Sequence, residues 1–110
     1  MGIGTRDKAS LKSELSQLLQ AVLSHRSAWP FHEPVDTSIV VDYLDFIEDP
    51  VDLHLIHNRI DSGAYVSIAA FKADLDKMLD NCTTYNTPDT NYYKAAVDLR
   101  EFVQQRIQTR

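Results

Sequence analysis

Residues 81–93, NCTTYNTPDTNYY, separate two apolar helical patterns in the chain. The stretch leaves the first pattern, passes through a polar turn that contains Pro88, and enters the second pattern through Tyr92 and Tyr93. Because proline disfavours helix in the residue before it, the first helix is expected to end before Pro88. Such a turn places the amide of Asn86 between aromatic rings at the open end of a helix bundle. That arrangement suits an uncharged amide carried on an apolar stalk.

Length and composition indicate a single globular domain with one hydrophobic core. The chain has 110 residues, of which 44% are apolar and 25% are charged, as is usual for such domains. The net charge of −5 disfavours nucleic-acid binding, which requires clustered lysine and arginine, and favours basic partners. Cys82 is the only cysteine, so no internal disulfide can form and an intracellular compartment is expected. Residues 1–8 are interpreted as a frayed end or a remnant of expression, and the domain as residues 9–110.

Apolar periodicity predicts four helices, which makes the fold class all-α and the architecture a four-helix bundle. Ser10 is the predicted N-cap of the first helix. Asp52 and Ser67 are the predicted N-caps of the second and third helices. No apolar run is long enough to span a bilayer. The predicted helices begin near residues 11, 53, 68 and 91 and end near residues 25, 61, 85 and 107.

Residues 27–51 break the helical pattern between the first and second helices. Three of the four prolines lie in this segment, and no helical period crosses it. Its many aromatic and branched apolar residues are unlike a disordered linker. We therefore expect an ordered loop packed on the bundle, with a short helical turn near residues 43–46. If neighbouring helices are antiparallel, this loop and the Asn86 turn meet at one end of the bundle, where pockets form.

Several motifs, in this order and spacing, resemble the bromodomain pattern. They are Trp29-Pro30-Phe31, Pro34-Val35, Asp42-Tyr43, Asp49-Pro50-Val51-Asp52-Leu53, the run from Asn81 to Asn86, and Tyr92-Tyr93. The resemblance covers roughly residues 11–107, and several motifs together are more specific than one short match. The short gap between Trp29 and Tyr43, with the run Asn91-Tyr92-Tyr93-Lys94, most resembles bromodomains attached to histone acetyltransferases.

The resemblance implies a left-handed four-helix bundle in which the first long loop and the last short loop frame an acetyl-lysine pocket. Asn86 would donate a hydrogen bond to the acetyl carbonyl, and Tyr43 would hold a water that bridges to the same oxygen. Phe31 would lie near the acetyl methyl, and Val35 would pack on the lysine stem. The other predicted site residues would form the wall, rim and shelf of the pocket: Tyr85, Tyr92, Trp29, Pro30, Val40 and Leu44.

Four positions depart from the usual family pattern. Val51 stands where methionine is frequent, Leu44 where a second aromatic residue is usual, and Val41 where proline is common. Thr87 follows Asn86 in place of the frequent proline or lysine. These departures concern the rim and the stiffness of the loop, so they bear on peptide preference. The residues expected to contact acetyl-lysine itself are all present.

Other interpretations of single residues remain open. Taken alone, Asn86 is typical of a helix C-terminus, and Trp29 of a packing residue. His54 and His57 have i, i+3 spacing but lack a third metal ligand, so no metal or other cofactor is expected. Cys82 lies on an apolar helix face, which favours a buried inert thiol over a nucleophile.

Four loop carboxylates, Asp45, Glu48, Asp49 and Asp52, are expected near the mouth of the pocket. No nucleophile, metal set or phosphate-binding loop accompanies them. We therefore interpret them as an acidic rim facing a basic peptide, with Asp52 also an N-cap, and the domain as non-enzymatic.

The resemblance thus implies a monomeric, nuclear reader of acetylated lysine peptides. Histone tails are the expected targets, and the reader is expected to be part of a larger chromatin protein such as an acetyltransferase. Small-molecule mimics of acetyl-lysine are expected to fit the same pocket. Direct nucleic-acid binding and membrane association are not expected. Two alternatives stay open: a helical adaptor that binds a partner peptide without an acetyl requirement, and an enzyme that uses the loop carboxylates.

Overall fold

The structure is a computed structural model that describes the backbone of residues 3–110 and the side chains from residue 9 onward. Within these residues the regular secondary structure is helical, with no strand. Four main helices form the bundle, and two short helical turns lie within the long loop, so the predicted all-α bundle is confirmed. In chain order the helices are α1 (Ile3–Leu23), α2 (Tyr43–Phe46), α3 (Leu53–Asp61), α4 (Ile68–Tyr85) and α5 (Asn91–Gln108).

The start of α1 differs from the prediction. The N-cap predicted at Ser10 is wrong, because α1 begins at Ile3 and Ser10 lies inside it. No proline or glycine occurs between Thr5 and Leu23, so no residue in this stretch interrupts a helix on either side of Ser10. The interpretation of residues 1–8 as a frayed end or a remnant of expression stays a prediction. Residues 1 and 2 and the side chains of residues 3–8 lie outside the described part of the chain.

Side-chain caps determine where the later helices begin. At the start of α3, Asp52 accepts two backbone N–H bonds of 2.9 and 3.2 Å. At the start of α4, the Ser67 hydroxyl accepts one of 3.1 Å. At the start of α5, the Thr90 hydroxyl accepts one of 3.2 Å. The predicted caps at Asp52 and Ser67 are confirmed, and the cap at Thr90 was not predicted.

Replacing Ser67 with alanine is expected to lower the free energy of unfolding by about 1 kcal/mol, because a backbone N–H at the start of α4 loses its acceptor. Thermal denaturation followed by circular dichroism measures the loss, as about 4–8 °C per kcal/mol for a domain near 100 residues. Ser13→Ala is the matched control, since Ser13 is exposed inside α1, where alanine is the better helix former. Equal melting temperatures for the two variants would contradict the capping role of Ser67.

The core fills the space between the four main helices. α4 packs along α5, and α1 packs along α3. Phe71 of α4 is fully buried, and the ring of Tyr65 meets it edge-on at 5.8 Å. Phe102 of α5 packs against this core and is only partly buried. Among the described helices, none combines the length and apolarity needed to cross a bilayer.

The long loop covers the end of the bundle where α4 ends and α5 begins. Residues Trp29–Phe31 form a 3₁₀ turn, and the ring of Trp29 lies 5.2 Å from the ring of Tyr92 in α5. Tyr43 of α2 lies 5.0 Å from Tyr85 at the end of α4. The long loop and the turn between α4 and α5 therefore meet at the same end, as predicted.

Candidate functional site

A cavity of about 370 Å³ lies between the long loop and the ends of α4 and α5. Its size is that of a small-ligand site. Two of the ten predicted site residues lie outside its lining. Trp29 is half exposed and contacts the cavity residue Tyr92, and Leu44 of α2 is 57% exposed. Eight of the ten line the cavity: Asn86, Tyr43, Phe31, Val35, Tyr85, Tyr92, Pro30 and Val40.

Asn86 is half-buried at the C-cap of α4, and α4 itself holds its side chain. The backbone N–H and the side-chain Nδ2 of Asn86 both donate to the carbonyl of Cys82, each at 3.0 Å. Because a carbonyl only accepts, this contact fixes the nitrogen end of the amide. Nδ2 also lies 3.6 Å from Cys82 Sγ, a weak acceptor that a ligand oxygen can replace. The role of Asn86 at the helix terminus is confirmed, and it leaves one N–H for a ligand.

Tyr43 is buried, and it contributes its side chain to the cavity wall. Burial raises the pKa of the Tyr43 hydroxyl, so the hydroxyl stays protonated at neutral pH. Among the described residues, no protein group forms a hydrogen bond with it. The hydroxyl can therefore bond to a ligand or to a bridging water. The edge-on contact with Tyr85 restrains the direction of the Tyr43 ring.

Tyr85 joins the long loop to α4. Its hydroxyl donates to the carboxylate of Asp42 at 2.5 Å, and its ring lies 5.9 Å from Phe46. The hydrogen bond to Asp42 raises the pKa of Tyr85, because ionised tyrosine could no longer donate. These contacts hold α2, and with it Tyr43, against the end of α4. The wall position of Tyr85 was predicted, but its bond to Asp42 was not.

Cys82 lines the cavity beside Asn86 and is 8% exposed. Its Sγ–H donates to the carbonyl of Tyr92 at 3.3 Å. Burial raises the pKa of the Cys82 thiol, which keeps it in the neutral, poorly nucleophilic form. The predicted burial of Cys82 is confirmed, and its surroundings do not activate it.

Comparison with known proteins places this chain in a family. The sequence profile of the bromodomain matches residues 15–98. The chain belongs to the bromodomain family. This bromodomain is 41% identical over 106 residues to "Histone acetyltransferase GCN5" of Oryza sativa subsp. japonica, covering 92% of this chain and 21% of that protein. It is 37% identical over 94 residues to "Nucleosome-remodeling factor subunit NURF301" of Drosophila melanogaster, covering 86% of this chain and 4% of that protein. The chain thus spans about a fifth or less of these relatives.

Solved structures show the same fold. The bromodomain of human BAZ1A matches with a TM-score of 0.84 and 30% identity, over 86% of this chain and 92% of that one. CpBRD2 from cryptosporidium matches with a TM-score of 0.82 and 32% identity, over 90% of this chain and 92% of that one. The resemblance found in the motifs and the left-handed four-helix bundle that it implies are both confirmed.

The acidic residues around the bromodomain cavity differ from those expected. Of the four carboxylates predicted at its mouth, only Asp52 is in the lining, together with Glu33 and Asp36. Asp49 instead forms an ion pair of 2.7 Å with Lys77 of α4, which lowers the pKa of Asp49. All charged side chains in the lining are therefore carboxylates.

Part of the lining could have been found from helical spacing. Met78, Cys82 and Asn86 follow one another at intervals of four residues, so they share one face of α4. The loop residues of the lining gave no such signal, because the loop has no regular period. The lining residues that were not among the predicted site residues are Glu33, Pro34, Asp36, Pro50, Val51, Asp52, Met78 and Cys82.

Among the residues that the structure describes, the two histidines of α3 gain no third metal ligand. His54 Nδ1 lies 3.8 Å from an oxygen of Glu33. In the part of the chain that the structure describes, no group of three or more histidine, cysteine, aspartate or glutamate side chains is placed to hold a metal ion.

Proposed function

We propose that this bromodomain is a non-enzymatic reader that binds acetyl-lysine in proteins, with histone tails as its first targets. The observation that carries the proposal is the position of Asn86. Its amide is oriented by the Cys82 carbonyl and lies in the wall of a cavity with apolar sides. The remaining N–H of Asn86 can donate to a ligand oxygen, and the apolar sides of the cavity favour a ligand whose side chain is apolar and uncharged.

Acetylation decides which lysine can enter. The carboxylates of the lining, Glu33, Asp36 and Asp52, are exposed or partly exposed, whereas the lining residues Phe31, Tyr43 and Met78 are buried and uncharged. An unmodified lysine that reached these buried residues would bring an ammonium with no counter-charge beside it, and burying an unpaired charge is very unfavourable. Acetylation removes that charge and leaves an amide with a strong acceptor. The acetyl oxygen then accepts from Asn86 directly and from Tyr43 through a water.

The apolar parts of the ligand find matching walls. Phe31 is 5% exposed and forms a surface for the acetyl methyl, and Val35 offers its side chain to the lysine stem. Tyr92, at the first turn of α5, is half exposed and borders the entrance. Because so small a ligand buries little surface, binding to a single acetyl-lysine should be weak. Small molecules that mimic acetyl-lysine should occupy the same cavity.

The cellular setting is also a proposal. The names of two relatives, a histone acetyltransferase and a subunit of a nucleosome-remodeling factor, support a module within a larger nuclear chromatin protein. A monomeric state of the module is part of the proposal. The proposal assigns no catalytic step and no cofactor to the bromodomain itself.

Isothermal titration calorimetry with two peptides tests the proposal. The peptides carry the same sequence and differ only in the acetyl group on one central lysine. We expect the acetylated peptide to bind and the unmodified peptide to give no measurable heat. Equal binding of the two would overturn the reader function in favour of an adaptor without acetyl dependence, and turnover of the peptide would favour an enzyme.

A further inference from the structure

The long loop carries exposed apolar side chains that the acetyl-lysine cavity does not use. Four large apolar residues of the loop are between 57% and 80% exposed and do not line the cavity. They are Ile39, Val41, Leu44 and Phe46. We call these four residues the loop patch. Large apolar side chains exposed singly are ordinary, but four within one short ordered segment indicate an interaction surface.

The loop patch begins at the edge of the cavity. Val40 and Tyr43 line the cavity. The patch residues Ile39 and Val41 flank Val40 in the chain, and the patch residue Leu44 follows Tyr43. A hydrogen bond of 3.2 Å from the Tyr43 N–H to the Val40 carbonyl closes the turn between them. Phe46 contacts the cavity residue Tyr85. A chain that leaves the cavity on this side therefore meets the loop patch.

The loop segment that contains the loop patch is negatively charged. Residues 27–58 contain seven carboxylates and no lysine or arginine, which gives this segment a formal charge of −7, while the rest of the chain carries +2. Asp45 and Glu48 lie within or beside the patch and are exposed. Neither forms an ion pair with another described residue. A partner that covers the patch should therefore be cationic as well as apolar.

We propose that this bromodomain selects acetyl-lysine within a basic and apolar segment, which has at least one lysine or arginine and one large apolar residue near the acetylated position. The occupant of the loop patch is the same polypeptide that carries the acetyl-lysine. An extended chain advances about 3.3–3.6 Å per residue, so residues two to four positions from the acetyl-lysine lie roughly 7–14 Å from it along the chain. Because the patch adjoins the lining residues Val40, Tyr43 and Tyr85, these are the flanking positions that we expect to contact it. The inference rests on the proposed acetyl-lysine function.

A second acetyl group close to the first should weaken binding. Acetylation of a flanking lysine removes a cation that the carboxylates around the loop patch attract. Exposed charge pairs have small effects, so the loss should be roughly two- to fivefold for each neutralised lysine. The bromodomain should therefore prefer a singly acetylated basic segment to a densely acetylated one.

Three ligands and one double variant test the apolar contribution. The ligands are a capped single acetyl-lysine, an acetylated peptide with basic and leucine flanks, and the same peptide with glycine and serine flanks. We expect the basic and apolar peptide to bind the wild-type domain about tenfold more tightly than the neutral peptide. Ile39→Ser with Val41→Ser should remove most of this preference and leave the affinity for capped acetyl-lysine unchanged. Val66→Ser with Val97→Ser is the matched control, because both residues are exposed outside the long loop, and it should behave as wild type.

A charge variant tests the electrostatic contribution. Asp45→Asn with Glu48→Gln should lower the affinity for the basic peptide several-fold and reduce its dependence on salt. Glu101→Gln, at an exposed position on α5, is the control and should retain wild-type binding. An unchanged affinity of the loop variant for the basic peptide would count against the charge selection.

The outcomes separate this inference from the function on which it rests. If capped acetyl-lysine binds but the basic and neutral peptides bind equally, the selection by the loop patch is overturned and the reader function stands. If capped acetyl-lysine does not bind at all, the reader function itself fails. If sedimentation shows dimers that Ile39→Ser with Val41→Ser abolishes, the loop patch binds a second copy of the chain and the inference is overturned.

Discussion

Replacing Asn86 with alanine is expected to weaken the binding of an acetylated peptide about 10- to 100-fold. Without the amide, the acetyl carbonyl enters the cavity with no direct donor, and a buried unpaired polar group costs about 1–3 kcal/mol. The Cys82 carbonyl also loses its side-chain donor, but it keeps the backbone N–H of residue 86. The melting temperature should therefore fall only slightly. Calorimetry at pH 7 with the acetylated peptide measures the affinity.

Asn58→Ala provides the matched control for this loss. Asn58 is exposed on α3 and is not among the residues that line the cavity, so the same chemical change there should leave affinity unaltered. Circular dichroism of both variants separates loss of the donor from loss of the fold. Full binding by Asn86→Ala would show that another group provides the donor to the acetyl oxygen.

The helices were largely predictable because their signals are local. The caps at Asp52 and Ser67 act on N–H groups two or three residues away, so residue type and the apolar period that follows identify them. The same local rule failed at Ser10. A serine that precedes an apolar period looks the same in sequence whether it begins a helix or continues one, and only the flanking residues decide.

The contacts of the site were less predictable because they join distant parts of the chain. The bond from Tyr85 to Asp42 spans 43 residues and depends on how the long loop lies on α4. Asp49 was placed at the mouth of the pocket from its position in the loop, but Lys77, 28 residues away, draws its carboxylate elsewhere. Motifs known from a family supplied the site residues that no period or spacing in the loop could supply.

Replacing Phe71 with alanine is expected to lower the free energy of unfolding by about 3–5 kcal/mol. Phe71 is fully buried between the main helices, so its removal loses both the burial of the ring and the packing around it. The loss is a large part of the roughly 5–15 kcal/mol that stabilises a typical domain. Urea denaturation followed by the fluorescence of Trp29, the only tryptophan, gives the free energy of unfolding.

Phe46→Ala is the matched control, because Phe46 is 63% exposed and its loss should cost less than about 1.5 kcal/mol, the upper value for its contact with Tyr85. Equal losses for the two variants would contradict the close packing around Phe71.

Peptide binding should respond to these substitutions differently from stability. Fifteen residues of helix, about 22 Å at 1.5 Å per residue, separate Phe71 from Asn86. Well below its melting temperature, Phe71→Ala should therefore bind the acetylated peptide as wild type does, whereas Asn86→Ala should stay folded and bind it about 10- to 100-fold more weakly.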